Sequence, residues 1–225
     1  MTGPPGSFVL PAPPVLPVPS APSAAESAGA LERRVAEWVG PYSQAWHLVR
    51  ARDWLVHLDP DATPEMRVAA LSHDIERFYP GGPRLDMSKP WDHPDYLFAH
   101  STRSADIVAW WLREQPDRPD DDSIYRIRRL IAMHEIGGLE GADLVQAADS
   151  LSFLETLTDL VRGWVVNGQC DVATAEAKHR YMAERIRVPR ARELAEPLLA
   201  NALAVLHDQA PAAGTTSSTD GSTPA

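Results

Sequence analysis

The sequence predicts an all-α protein whose structured part is one helical bundle. Apolar residues recur at helical spacing between the two ends of the chain, and good strand candidates are absent. Clusters of proline and glycine separate the apolar segments, as is typical of loops between helices. A chain of 225 residues is long enough for one substantial core, or for two small ones. We expect one domain over residues 29–209.

Both ends of the chain differ in composition from this domain. Residues 1–28 are rich in proline, alanine, serine and glycine, and residues 210–225 add threonine to the same set. Such segments lack the apolar residues that a core requires, so both are expected to be disordered tails. The first 28 residues have no early lysine or arginine, and prolines interrupt their apolar run, which argues against a secretory signal.

The first half of the domain contains three helix signals. Pro41 ends a first helix, and Ser43 is the expected N-cap of a second. Thr63 followed by Pro64 is typical of the start of a third helix, which carries the dipeptide His73-Asp74 near its C-terminal end. The expected ranges are 30–39, 44–58 and 64–78.

Five further helices are expected after a loop at residues 80–95. The acidic loop 116–122 separates the first two of them, and Gly137-Gly138 separates the second from the third. The third is long and contains Asp149 within an apolar run. The expected ranges are 96–114, 123–135, 142–166, 171–187 and 190–208.

Charge and cysteine content limit the partners that we expect. The formal net charge is −10 and the isoelectric point is about 5.2, which argues against nucleic acid as the main partner because phosphate binding needs a basic face. A single cysteine excludes an internal disulfide and predicts a reducing, cytoplasmic location. No apolar run approaches the roughly 20 residues of a membrane span. A small anionic substrate remains the expected partner.

Histidines and aspartates along the predicted helices indicate a buried metal site. Adjacent side chains such as His73 and Asp74 diverge by roughly 100° around a helix axis, so the pair can serve one buried cation or two neighbouring ones. An ionised Asp149 in apolar company costs several kcal/mol unless it is paired or bound to a metal. The alternative for Asp149 is a buried salt bridge to an arginine. The candidate metal ligands are His47, His73, Asp74, His100, His134 and Asp149.

The order of four of these residues resembles the signature of the HD-domain superfamily. His47, His73-Asp74 and Asp149 occur in the family's order. Small and apolar residues precede the dipeptide in Ala69-Ala70-Leu71-Ser72, and the element around Asp149 resembles the closing Ala-Asp of the family. The resemblance covers about residues 42–160 and implies an all-helical, metal-binding fold.

Two further histidines, between the dipeptide and Asp149, carry an additional implication. Family members with such a pair generally hold two metal ions, with the dipeptide's carboxylate as a bridge. The alternative is that one or both of them line the cleft and bind substrate. Imidazole ligands suit divalent transition metals such as Mn, Co, Ni or Fe, and Mg is also an option. The resemblance assigns His47, His73 and Asp149 to one ion, His100 and His134 to the other, and Asp74 to both.

The positions after the dipeptide depart from the family. Members with two metals often continue as His-Asp-Ile-Gly-Lys, where this chain has Glu76 and Arg77. Arginine keeps the lysine's charge but does not readily donate a proton. The candidate catalytic residues are Asp74, Arg77 and Lys178. The candidate substrate-binding cations are Arg50, Arg77, Arg103 and Lys178, each with the alternative of a solvated or salt-bridged side chain.

The function that these residues predict best is hydrolysis of a small phosphate ester, such as a nucleotide or sugar phosphate. Two bridged cations lower the pKa of a shared water and hold phosphoryl oxygens. A di-iron oxygenase that cleaves a C–C or C–P bond is the alternative, because the resemblance admits both chemistries for six ligands. A second alternative is a non-catalytic domain that binds a nucleotide or a partner.

Overall fold

The computed structural model describes residues 29–84, 86, 88–116 and 118–208. These residues form nine α-helices and one short 3-10 helix, without a strand, so the all-α prediction is confirmed. The predicted tails at 1–28 and 210–225 lie outside the described residues. In chain order the helices are α1 (Ala30–Val39), α2 (Ala45–Leu58), α3 (Pro64–Ser72), the 3-10 helix (Ile75–Phe78), α4 (Pro94–Arg113), α5 (Asp121–Met133), α6 (Ala142–Thr156), α7 (Thr158–Val166), α8 (Val172–Glu184) and α9 (Pro189–His207).

Capping residues account for several helix starts. Thr63 accepts a hydrogen bond from the backbone N–H of Met66, as its predicted capping role requires. The prediction that Ser43 caps α2 was wrong by one position, since Gln44 occupies the N-cap and its side chain makes no capping bond. The bounds of α1 agree with the predicted ones.

Two segments predicted as single helices are divided. The third predicted helix ends at Ser72, and His73-Asp74 joins it to the 3-10 helix. The predicted helix over 142–166 is interrupted at Leu157, which has φ −104° and ψ 4°. The hydroxyls of Thr156 and Thr158 donate to backbone carbonyls four residues earlier. Such bonds compete with the helical ladder and bend helices, which accounts for the break.

The helices pack around a central pair. α2 lies along α6, α3 packs against α2 and α5, and α4 packs against α5 and the 3-10 helix. α8 and α9 cover the other side of α6. Their apolar faces form one core, whose fully buried members include Leu48, Leu55, Ile75, Ile127, Leu151 and Ile186. No helix in the described residues combines the length and apolar character that crossing a membrane requires.

Candidate metal centre

The structure brings all six predicted ligands to one place inside this core. None of them is more than 5% exposed, although all are polar. Five elements supply them, so the cluster depends on the packing of the whole bundle. They are His47 from α2, His73 and Asp74 after α3, His100 from α4, His134 after α5 and Asp149 from α6.

The first group of ligands surrounds Asp149. Its Oδ1 lies 3.2 Å from Nε2 of His47 and 3.3 Å from Nε2 of His73. Two ligand atoms about 2.1 Å from one ion, at angles near 90–110°, are about 3.0–3.4 Å apart. The spacing therefore fits a shared ion. Oδ2 of Asp149 accepts a hydrogen bond from Arg185, so the arginine pairing that was the alternative is present as well.

Asp74 lies between the first group and the remaining histidines. Its Oδ1 is 2.8 Å from Nε2 of His100 and 3.9 Å from Nε2 of both His73 and His134. Its Oδ2 is 3.2 Å from Nε of Arg77. One carboxylate oxygen thus faces three imidazoles while the other faces a guanidinium.

Glu135 is a buried carboxylate of the cluster that sequence reasoning missed. Its Oε1 lies 3.9 Å from Nε2 of His100 and 3.8 Å from Nε2 of His134, and these three residues form a group able to hold an ion. Its Oε2 accepts a hydrogen bond from Arg185. Its position in the sequence could have indicated a role in the site, because Glu135 follows His134 as Asp74 follows His73.

Two of the histidines are fixed by the helix that precedes each of them. Nδ1–H of His73 donates to the carbonyl of Ala70 (3.0 Å), and Nδ1–H of His134 donates to that of Ile131 (2.7 Å). Each bond satisfies a carbonyl in the last turn of its helix. It also directs Nε2 into the cluster, where both Nε2 atoms are buried without a hydrogen bond to any described residue. Such anchoring is typical of metal-bound imidazoles.

The other two histidines are fixed by side chains. Ser152 Oγ donates to the carbonyl of His47 and lies 2.8 Å from its Nδ1. Nδ1 of His100 lies 2.8 Å from Oε1 of Glu76, so the residue that departs from the family pattern orients a predicted ligand. A Cβ at Gly82 would collide with this carboxylate, so a larger residue there would force Glu76 to shift.

The electrostatics of the cluster suit a cation. Burial lowers the pKa of His73, but the carboxylates of Asp149 and Asp74 outweigh burial and raise it to about 9. Burial lowers the pKa of His134 to about 4. Burial also opposes ionisation of Asp149, yet the neighbouring Arg185 and His73 hold its pKa well below the usual range. The pKa values of Asp74 and Glu135 are lowered too, so at these three carboxylates a metal ion would meet little competition from protons.

An open cleft of about 360 Å³ lies next to the cluster, and its lining includes Arg77, which contacts Asp74, and Glu76, which contacts His100. Arg77, whose side chain is 33% exposed, lines this cleft beside Asp74. Tyr96 lines it too, and its ring stacks on that of His100 with centroids 5.7 Å apart. A small molecule in the cleft thus meets a cation and a flat ring next to the predicted ligands.

Two predicted substrate-binding cations have structural partners. Arg50 donates from Nε and Nη2 to Glu155 at 2.5 and 2.9 Å, as the alternative of a salt-bridged cation predicts. Arg103 donates to the carbonyls of Gly81 and Pro80 at 2.5 and 2.7 Å. These bonds connect α2 to α6 and α4 to the loop after the 3-10 helix.

Three aromatic rings surround the amino group of Lys178. Its Nζ is 5.3 Å from the centroids of Trp91 and Phe153 and 5.2 Å from that of Tyr181, within range of cation–π attraction. Burial lowers its pKa to about 8, although the nearby Glu135 favours the charged form. Its proton is therefore more easily released than that of an ordinary lysine.

The three histidines expected to be ordinary side chains lie outside the metal-binding groups found among the described residues. His57 packs against Trp54, and His207 pairs with Glu176. His93 precedes α4 at the N-cap.

Comparisons with known proteins return no match. No family model, curated protein sequence or solved structure is significantly similar to this chain.

Proposed function

We propose that this chain is an HD-type, metal-dependent phosphohydrolase that acts on a small phosphate ester. One observation carries the proposal: six ligands in the family's order converge in the core, with every imidazole Nδ1 engaged and every Nε2 directed inward. The all-helical fold is compatible with the family.

The two oxygens of Asp74 support a bridging role for this residue. Oδ1 faces the imidazoles of both groups of ligands, while Arg77 holds Oδ2 and fixes the carboxylate plane. A pair of divalent transition-metal ions held in this way would supply an activated water and would neutralise charge on phosphoryl oxygens. In this proposal Asp74 is the residue on which both ions depend.

The cleft supports an anionic substrate. Arg77 lines it with a permanent positive charge, beside Asp74. Tyr79, Tyr96 and Trp164 line the same cleft, and aromatic rings there would favour a flat group such as a nucleobase. We propose that Arg77 binds the phosphate and that Lys178 supplies a second positive charge from α8.

The test is phosphate release from a panel of nucleotides and sugar phosphates, with Mn²⁺, Co²⁺, Ni²⁺ or Mg²⁺ added to the purified full chain. We expect activity with Mn²⁺ or Co²⁺. Asp74→Ala should lower the activity at least about 1,000-fold, because removing one member of a group of residues that act together causes a loss of kcat of this size. His57→Ala is the control and should keep wild-type activity. Two bound irons per chain without phosphate release would contradict the hydrolase and favour the oxygenase.

A further inference from the structure

Three dipeptides of the chain are a histidine followed by an acidic residue, and the fold uses two of them, His73-Asp74 and His134-Glu135, alike. His73-Asp74 follows the last residue of α3, and His134-Glu135 follows the last residue of α5. In both, the histidine Nδ1 bonds to the carbonyl three residues earlier. The negative ends of two helix dipoles therefore meet at the cluster, where they favour a cation.

Glu135 is held in the same way as Asp149, a carboxylate predicted as a ligand from the sequence. Oδ1 of Asp149 faces His47 and His73, and Oε1 of Glu135 faces His100 and His134 at 3.9 and 3.8 Å. The second oxygen of each carboxylate accepts a hydrogen bond from Arg185. In each case one oxygen is anchored and the other is directed at two imidazoles.

Arg185 occupies the position from which both carboxylates are oriented. Its Nη1 donates to Glu135 and its Nη2 to Asp149, and its side chain is 6% exposed. A planar guanidinium is suited to holding two carboxylates at a fixed separation. It carries only one positive charge for two carboxylates, and the other cations near the pair are Lys178 and His73. A buried excess charge is costly unless another cation balances it.

We propose that Glu135 is a ligand of the second metal ion and that Arg185 is the positioning residue for both ions. Each ion then has two histidines and one carboxylate of its own, and Asp74 lies between the two sets. The sets are His47, His73 and Asp149, and His100, His134 and Glu135. This inference rests on the metal centre of the proposed function but not on its phosphatase activity.

The experiment is a titration of the metal-free full chain with Co²⁺, followed by visible absorption and by metal analysis. The wild type should bind two ions. Glu135→Gln should keep the affinity for the first ion and weaken the affinity for the second by at least about tenfold. Even the loss of a residue that only hydrogen-bonds to a ligand lowers metal affinity about 10–100-fold. The matched control is Glu155→Gln, which removes a carboxylate from the Arg50 ion pair outside the cluster. It should leave both steps unchanged.

The role of Arg185 is tested by a measurement that general destabilisation of the fold would not change, namely the Co²⁺ absorption spectrum. Arg185→Lys keeps the charge but cannot hold both carboxylates, so the Co²⁺ absorption of both steps should change and both affinities should fall about 10–100-fold. Arg50→Lys is the control and should leave the Co²⁺ spectrum as in the wild type. Unchanged Co²⁺ steps in Arg185→Lys would overturn its positioning role.

A crystal structure of the Co²⁺-loaded wild type tests the ligand directly, even if a variant fails to fold. A Glu135 oxygen should lie at about 2.0–2.2 Å from an ion, the usual carboxylate bond length. A Glu135 that contacts neither ion, or a Glu135→Gln variant with two unchanged binding steps, would overturn the inference. A wild type that binds fewer than two ions would overturn it as well. Absence of phosphate release with the second step lost in Glu135→Gln would contradict the proposed hydrolase and support this inference.

Discussion

The two halves of the cluster contain the same residue types but differ in how closely the ligand atoms approach. Around Asp149 the imidazole-to-carboxylate distances are 3.2 and 3.3 Å. Around Glu135 they are 3.9 and 3.8 Å. In the first half the ligand atoms already have the spacing that one shared ion requires. In the second half the nitrogen-to-oxygen distances must shorten by about half an ångström before an ion can be shared. We infer that the first half is preorganised and binds the tighter ion.

The position of His100 accounts for the wider second half. Asp74 lies 2.8 Å from its Nε2 and Glu76 lies 2.8 Å from its Nδ1. Burial and Arg77 lower the pKa of His100, yet these two carboxylates raise it overall. The ring is thus held between two anions, which favour its protonated form, so a proton competes with an ion for this histidine.

Removal of one histidine from each half gives the largest expected difference. His47→Ala should weaken the tighter Co²⁺ step by more than about 100-fold, above the loss typical of supporting residues. His100→Ala should leave that step in place and abolish the weaker one. Calorimetric titration of the metal-free chains would measure both steps, with His57→Ala as the control. Equal losses of both steps in both variants would contradict two distinguishable halves.

Loss of the Glu76 carboxylate should have a smaller effect, confined to the second half. Glu76→Gln keeps a side chain of the same size but removes the anion that orients His100. We expect the second Co²⁺ affinity to fall about 10–100-fold and the first to stay unchanged. The same titration measures it, beside Glu155→Gln. A Glu76→Gln chain with both steps intact would show that the departure from the family pattern has no role in metal binding.

The smallest predicted effect concerns substrate affinity rather than the ions. With a pKa of about 8, Lys178 is charged below that pH and loses its charge above it. If it binds an anion, KM should rise roughly tenfold between pH 7 and pH 9, as a single titration requires. Lys178→Arg stays charged and should remove this rise. The charged groups around Lys178 are Glu135, Arg185, Arg77 and Asp149. A KM independent of pH in the wild type would exclude Lys178 as the binding cation.

Much of the fold was predictable because helix signals are local. The cap at Thr63 and the helical apolar period are both visible in the sequence. The breaks at His73 and Leu157 were not predicted, because the apolar period continues across both; side chains bond to the helix backbone at each of them.

The convergence of the six predicted ligands could be expected from their order, but the residues that contact them could not. Glu76, Glu135 and Arg185 look like ordinary surface charges in the sequence, and only tertiary packing buries them beside the histidines. Arg50 shows the converse. Its position one turn after His47 suggested a role in the site, whereas Glu155, more than 100 residues away, is its partner.

The metal content of the wild-type chain decides whether the two halves form one centre. The full chain would be loaded with Co²⁺ or Mn²⁺, desalted, and analysed for metal and protein together, beside His57→Ala and Asp74→Ala. We predict two ions per chain in the wild type and in His57→Ala, and at most one in Asp74→Ala. A wild-type chain that retains less than one ion at saturating metal would contradict a metal centre at this cluster.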